Sequence, residues 1–325
     1  MMNYTKPFRI LSIDGGGYRG LFAAHLLKRI EQEWAVSLRE KMGILAGTST
    51  GSILAAGLAC GQPAEELAGF YTEHGPRIFS PRRLSRGEFF ALLASRYSSH
   101  RLKAALDSTF GDRTLGDVDM PLILPAVDIG NGCVHVFKSK YRDSFVRDPG
   151  VRVADAVLAS CSAPTYFDPV VVDSKYQLAD GGLWANNPAL AAAIDAKFRL
   201  GVSLDDMQIL SIGTGKARIY YRQSKGPIKD LLFHAWQGWG LATRWHHRKL
   251  LDLILNLQSD TAHNMLCLLI GESPLESRRV LRLTFESDRP LSMDSVGEGA
   301  DWITRADHAF THYAARIKDF LAIKE

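Results

Sequence analysis

The spacing of apolar residues changes period several times along the chain. Phe8 to Ile13 is a compact apolar run ending at a glycine turn, which predicts a buried strand. From Leu21 to Leu38 the period lengthens, with Leu21, Ala24, Leu27, Ile30 and Trp34 at three- and four-residue spacing, the mark of an amphipathic helix. Met42 to Ala46 reads as a second short strand and Ser52 to Cys60 as a small alanine-rich helix that can pack tightly on a sheet. Pro121 to Ile129, Val134 to Phe137, Tyr176 to Ala179 and Gln208 to Ile212 read as further strands, with Asp155 to Ala159 helical. Strands that alternate with helices and end in glycine-rich polar loops predict an α/β fold with a mostly parallel central sheet. No internal repeat or low-complexity tract interrupts the pattern.

Two of these strand-to-helix junctions carry chemistry. Asp14-Gly15-Gly16-Gly17-Tyr18-Arg19-Gly20 follows the first strand, and Gly47-Thr48-Ser49-Thr50-Gly51, a G-x-S-x-G, follows the second. The first loop has two readings. Gly15, Gly17 and Gly20 match the spacing of a dinucleotide-binding turn, although Glu31, Glu33 and Glu40 are poorly placed for the expected ribose contact. Missing side chains equally suit an oxyanion loop, whose bare N–H groups hold the charge that forms on an attacked carbonyl. The second junction favours that reading. In a G-x-S-x-G elbow, Gly47 and Gly51 leave room for a strained turn that lifts the Ser49 hydroxyl clear of the backbone. The plain alternative is a helix N-cap, a role that Thr48, Ser49 and Thr50 all suit. A base is then required, and Asp180-Gly181-Gly182 ends a short strand with an unshielded carboxylate, or else is an ordinary Asp-Gly turn.

Composition narrows the setting. The chain has 325 residues, 46% hydrophobic and 23% charged, ample for one large domain with or without an appendage. A net charge of +4 favours anionic surfaces without naming one. The scattered Cys60, Cys133, Cys161 and Cys267 form no pairing pattern, which predicts reduced thiols and a cytoplasmic setting. The apolar run after Lys6, Pro7 and Arg9 is too short for a signal sequence, and no stretch of about 18 apolar residues predicts a membrane span. His246 and His247 are adjacent, the wrong spacing for one helix face, and no metal or cofactor is expected.

Taken in order, Asp-Gly-Gly-Gly-x-Arg-Gly, Gly-x-Ser-x-Gly and Asp-Gly-Gly resemble the pattern of the patatin-like phospholipases. Ala159 to Phe167, Asn186-Asn187-Pro188 and Leu210 to Gly215 look like blocks of the same family, so the likeness runs from about Phe8 to Gly215. The resemblance implies a three-layer fold, a catalytic domain over 8–200 that continues through the strand at 208–215, and a C-terminal helical, regulatory region over 216–325. It also implies a Ser-Asp dyad without histidine: Ser49 as nucleophile, Asp180 as base, and Gly15, Gly16, Gly17 and Arg19 around the oxyanion. The implied activity is hydrolysis of phospholipid acyl esters through an acyl-serine intermediate. Two alternatives stay open: a Ser-Asp-His triad using His234, His246, His247 or His263, and a nucleotide-binding module built on the glycine loop.

Two basic stretches bear on access to the site. Arg77, Arg82, Arg83, Arg86, Arg96, Arg101 and Lys103 interleave with Phe89, Phe90, Leu92, Leu93 and Tyr97, as in a membrane-facing lid or a basic helix packed on the domain. Lys216 to Lys249 carries Trp236, Trp239 and Trp245, which suit a membrane interface or stacking on a nucleobase. The chain also resembles patatin-like effectors of bacterial anti-phage defence, which implies a cyclic dinucleotide activator, with a regulatory pocket expected near Arg218 to Lys249. The expected partners are a phospholipid membrane met peripherally from the cytoplasmic side, that activator and further copies of the chain, with no DNA or RNA polymer. Ala306, Phe310, Tyr313, Ile317 and Phe320 predict a final amphipathic helix facing the core.

Overall fold

The computed structural model describes residues 4, 6–82, 94–217, 247–289 and 291–323. The N-terminal apolar run forms β1 (Phe8–Ile13), followed by α1 (Gly20–Trp34), the short α2 (Leu38–Lys41), β2 (Ile44–Gly47), α3 (Thr50–Ala59), α4 (Ala64–Ile78) and α5 (Ser99–Phe110). Next come β3 (Leu122–Asp128), β4 (Cys133–Lys138), α6 (Val153–Ser160), β5 (Val170–Val172), β6 (Tyr176–Asp180), the one-turn α7 (Gly182–Ala185), α8 (Ala189–Asp195) and β7 (Met207–Ile212). The chain closes with β8 (Lys216–Ala217), α9 (His247–Leu269), β9 (Val280–Leu283), β10 (Glu286–Ser287) and α10 (Gly299–Leu321). The first helix stops four residues short of the expected Leu38. Ala35 turns left-handed at φ 48° and its N–H closes on the Glu31 carbonyl, an αL helix end, before Ser37 caps a new turn.

The main sheet runs in the order β5-β6-β3-β2-β1-β7-β9, with β4 also on β3. Its centre, β3-β2-β1-β7-β9, is parallel, whereas β4, β5 and β6 run antiparallel. One face is buried under α1, α3, α4, α6 and α10, with Leu11, Leu45, Ile53 and Phe310 in a single apolar cluster. The other face packs Ile10, Ile44 and Ile209 against α8 and α9. Together these are the three layers expected of the fold.

β3 brings the two halves of the site together. Along Ile123–Asp128 every residue of β3 pairs with β4 on one edge. The other edge is therefore shared: Leu122 and Ile123 pair with β2, and Ala126 to Asp128 with β6. β2 runs parallel to β3 and β6 antiparallel, so the two strands meet C-terminus to C-terminus, with Ala46 opposite Ile123 and Asp180 opposite Ala126. Three residues of strand span about 10 Å. Whatever follows β2 is thus aimed at the end of β6.

The region after residue 216 differs from the helical appendage expected. β9 pairs in parallel with β7 from Ile209–Val280 to Ile212–Leu283, α9 covers one face of the sheet and α10 lies on α1. Trp302 of α10 is fully buried, its ring 6.0 Å from Phe285, which in turn sits 4.8 Å from Phe22 of α1. One core therefore spans both sides of the expected boundary. In the first basic stretch, residues 83–93 lie outside the described residues. The cations around them are engaged: Arg82 bonds Asp168 at 2.7 Å, Arg101 donates to the Ser80 carbonyl at 2.7 Å, and Lys103 reaches Asp155 at 3.2 Å. Most of the second stretch, residues 218–246 with Arg218, His234, Trp236, Trp239, Trp245 and His246, also lies outside the described residues.

Shared burial makes a stability prediction. Trp302→Ala is expected to cost about 3–5 kcal/mol and to lower the single unfolding transition of the whole chain. Two separate transitions by calorimetry, with the upper one unmoved, would instead indicate an independent C-terminal unit.

Candidate active site

Ser49 sits between β2 and α3 with φ 53° and ψ −126°, a backbone conformation that costs a non-glycine residue roughly 1–3 kcal/mol. Its flanking glycines make that turn feasible. A Cβ on Gly47 would stand 2.0 Å from the Gly51 carbonyl oxygen, and one on Gly51 would stand 2.2 Å from the Ile13 carbonyl oxygen. Three lateral bonds hold the elbow. Thr48 Oγ1 donates to the Ala185 carbonyl at 2.6 Å, the Ser49 N–H donates to Ser160 Oγ at 3.1 Å, and Ser160 Oγ donates to the Pro125 carbonyl at 2.6 Å. Pro125 lies in the part of β3 where β2 has ended and β6 begins, so Ser160 bridges that gap. Ser49 occupies the N-cap position of α3, yet its side chain makes no capping bond. The helix-cap reading therefore does not account for its hydroxyl.

Asp180 ends β6 and is buried, at 4% exposure. Its Oδ1 accepts the Gly182 N–H at 2.7 Å, and its own N–H donates to the Ser162 carbonyl at 3.0 Å. Burial pushes the carboxyl up to about 7, while the Ser49 hydroxyl and the Gly182 N–H act in the opposite direction by favouring the charge. The Asp-Gly-Gly sequence is thus more than a turn. A Cβ on Gly181 would stand 2.2 Å from the Pro125 carbonyl oxygen, so the chain leaves β6 close against β3.

The glycine loop forms the third side, and its members divide. The Gly15 N–H is spent on the Asn186 carbonyl at 3.0 Å. The Gly16 and Gly17 N–H groups find no acceptor among the described residues, and both residues line the cavity that contains Ser49 and Asp180. Arg19 does not line that cavity. Its buried guanidinium donates to the Gly16 carbonyl at 3.2 Å and the Leu291 carbonyl at 3.3 Å, bracing the loop from behind. Of the four residues expected around the oxyanion, Gly16 and Gly17 keep N–H groups without an acceptor among the described residues beside the cavity, while Gly15 and Arg19 spend their donors on bracing the loop. Gly17 needs its φ of +61°, because a Cβ there would stand 2.3 Å from the Met293 carbonyl oxygen.

Two apolar cavities meet at the serine. One, narrow, runs past Ala163, Pro164, Leu183, Leu251 and Leu255, and the other, equally narrow, past Ile53, Phe70, Ile78 and Leu102. Both include Ser49, Gly17, Phe79 and Phe167. An ester carbonyl held by Gly16 and Gly17 thus has apolar space on two sides. No histidine among the described residues lines either cavity. His263 lies elsewhere, its Nε2 3.3 Å from the Pro274 carbonyl oxygen.

Some contributions are not marked in the sequence. Ser160 lies in the Ala159 to Phe167 block, but its bracing role follows only from the gap in β3. Leu251, Leu255 and Met293 come from segments about 70 to 110 residues after Asp180 and carry ordinary apolar spacing.

Residues 11–193 match the model of the patatin-like phospholipase family. The chain is 33% identical over 273 residues to a cGAMP-activated phospholipase of Pseudomonas aeruginosa, covering 84% of this chain and 78% of that protein. It is 29% identical over 331 residues to a cUMP-AMP-activated phospholipase of Escherichia coli, covering 96% and 93%. Patatin-like protein 2 of Oryza sativa is 32% identical over 213 residues, covering 58% and 52%. The chain belongs to the patatin-like phospholipases, a family of serine acyl hydrolases.

Proposed function

We propose that the protein hydrolyses acyl ester bonds of membrane phospholipids with Ser49 and Asp180 alone. The observation that carries this reading is the convergence of the strained Ser49, the buried Asp180 and the unspent Gly16 and Gly17 N–H groups on one apolar cavity. As the Ser49 oxygen attacks the ester carbonyl, Asp180 takes the hydroxyl proton and the two N–H groups hold the oxyanion. Collapse expels the alcohol portion of the lipid, which receives the proton back from Asp180, and leaves acyl-Ser49. Water then gives a proton to Asp180 as it attacks the acyl carbon, and fatty acid leaves with Ser49 regenerated. A carboxyl held near neutrality suits both directions of that transfer better than one at its ordinary value of about 3.9.

Lipid substrate implies peripheral docking at a membrane, and no helix among the described residues is long and apolar enough to cross one. The relatives named for activation by cGAMP or cUMP-AMP support a cyclic dinucleotide activator here, and with it a place in anti-phage defence. The 33% and 29% identities to those two proteins, which extend over most of each chain, favour this over an unregulated lipase.

Ser49→Ala and Asp180→Asn are each expected to lower fatty-acid release from phospholipid vesicles by roughly 10³-fold or more while the fold is retained. Equal loss on replacing one of the histidines would point to a triad. The pH dependence follows from the raised carboxyl. Because Asp180 must be ionised to accept a proton, kcat/KM for a short soluble ester is expected to rise with pH and level off above about 7. Stability runs the other way. The folded protein binds this proton more tightly than the unfolded chain, so the associated stability is present at acid pH and is lost as pH rises from about 4 towards 7. Asp180→Asn is therefore expected to melt above wild type at pH 8 and to lose that advantage near pH 4. Equal differences in melting temperature at both pH values would contradict the raised value.

A further inference from the structure

The sheet has a second crevice at its carboxyl edge. From β1 the chain crosses by α1 to β2 on one side, and from β7 it crosses by α9 to β9 on the other, with the two helices on opposite faces. The strand order therefore switches direction between β1 and β7, the place where open α/β sheets leave a ligand crevice outside their strand ends. A cleft of about 320 Å³ lies there, at the lower end of the range of small-molecule sites. Its walls come from the ends of three adjacent parallel strands: Asp14 and Gly15 after β1, Thr214 and Lys216 after β7, and Thr284 after β9. The Ser49 site, by contrast, lies at the ends of β2 and β6.

The lining is polar and varied. α9 contributes the amides of Asn256 and Asn264 and the imidazole of His263, while Lys216, 39% exposed at its side chain, pairs with Asp260. Beneath them Arg282 Nη1 donates to Asp14 Oδ1 at 2.8 Å and to Ser211 Oγ at 2.7 Å, a buried pair that keeps the floor rigid. Side-chain amides match the donor and acceptor edges of nucleobases. An ammonium shared with one exposed carboxylate can pass to a phosphodiester. Both features suit a nucleotide rather than a lipid.

The cleft also touches the catalytic machinery through one peptide unit. Thr214 Oγ1, on the cleft side, donates to the Gly15 carbonyl at 2.7 Å. The N–H of that same peptide is Gly16's, one of the two proposed oxyanion donors. A peptide is planar, with its C=O and N–H pointing oppositely. A ligand that engages the Thr214 side chain therefore acts on the orientation of the donor. A second link passes from Asp14 through Ser259 Oγ, at 3.1 Å, to Asn186 Nδ2, at 2.9 Å, and the Asn186 carbonyl holds the Gly15 N–H.

We propose that the cleft at the ends of β1, β7 and β9 binds the cyclic dinucleotide activator and sets the Gly15–Gly16 peptide for catalysis. This rests on the activation reading above and moves the nucleotide site expected near Arg218 to Lys249 onto the back of the glycine loop.

The test uses the full chain with cyclic GMP–AMP, followed by calorimetry, and a photoreactive azido analogue whose adducts are mapped by mass spectrometry. Adducts are expected on 214–216 and 256–264. Asn256→Trp, which fills the cleft, and Lys216→Glu are each expected to weaken binding by roughly tenfold or more at an unchanged melting temperature. Thr214→Val is expected to keep binding but to lose most of the nucleotide-dependent acceleration of ester hydrolysis, a coupling of roughly 5- to 150-fold in allosteric proteins. Adducts confined to other segments, or full-strength binding by both cleft variants, would overturn the location and leave nucleotide activation standing. No binding to wild type would overturn both, whereas the Ser49 chemistry is judged separately by hydrolysis without nucleotide.

Discussion

Everything at the site depends on two strands meeting end to end along one edge of β3. A parallel strand and an antiparallel strand that share an edge must point their C-termini at each other, so the residue after β2 and the last residue of β6 are brought together by hydrogen-bond register. That arrangement leaves a break in the ladder at Pro125, a residue with no N–H to offer. Ser160 fills the break, taking the Ser49 N–H and donating to the Pro125 carbonyl. Nucleophile and base are thus tied to the centre of the sheet, with flexible side-chain reach removed from the problem. The strain at Ser49 persists because the surrounding bonds over-determine it.

With no histidine lining the cavity among the described residues, burial carries the adjustment of Asp180. A carboxylate is a weak base at its ordinary pKa, and the fold compensates by withholding water and positive charge from Asp180, leaving the Gly182 N–H and the Ser49 hydroxyl as its polar company. The glycine loop meets the same economy of parts. Gly15, Thr214, Asn186 and Arg19 spend their hydrogen bonds on holding the loop, which leaves Gly16 and Gly17 at the wall of the Ser49 cavity. The three glycines therefore have separate jobs, and each would collide with a different neighbour if it carried a side chain.

Much of this was legible in the sequence, but unevenly. The strand Phe8 to Ile13, the elbow at Ser49 and Asp180 at a strand end could be read because each joins a change of apolar period to glycine. The direction of β6 could not, since a strand of five residues reads the same in a parallel or an antiparallel pairing. The region beyond Lys216 was read as helical because α9 and α10 dominate its pattern. The four residues of β9 are too short to display a period, and only pairing with β7 makes them a strand. The resemblance implies Arg19 beside the oxyanion, a role its place in the motif does not orient. The one turn of 3-10 helix over Gly17–Arg19 directs it backwards instead, onto the Gly16 carbonyl. The ambiguity of the glycine loop, phosphate cradle or oxyanion loop, arose from the same bare peptides, which have one face towards Ser49 and the other towards a polar cleft.

The measurement that bears most directly on a two-residue mechanism is rapid-quench intact mass spectrometry with a slowly hydrolysed acyl ester. An acyl adduct located on Ser49 should build up within the first turnover in wild-type protein and in every histidine-to-alanine variant, and should be absent in Asp180→Asn. An adduct that forms normally without Asp180, or that disappears on loss of a single histidine, would contradict the dyad.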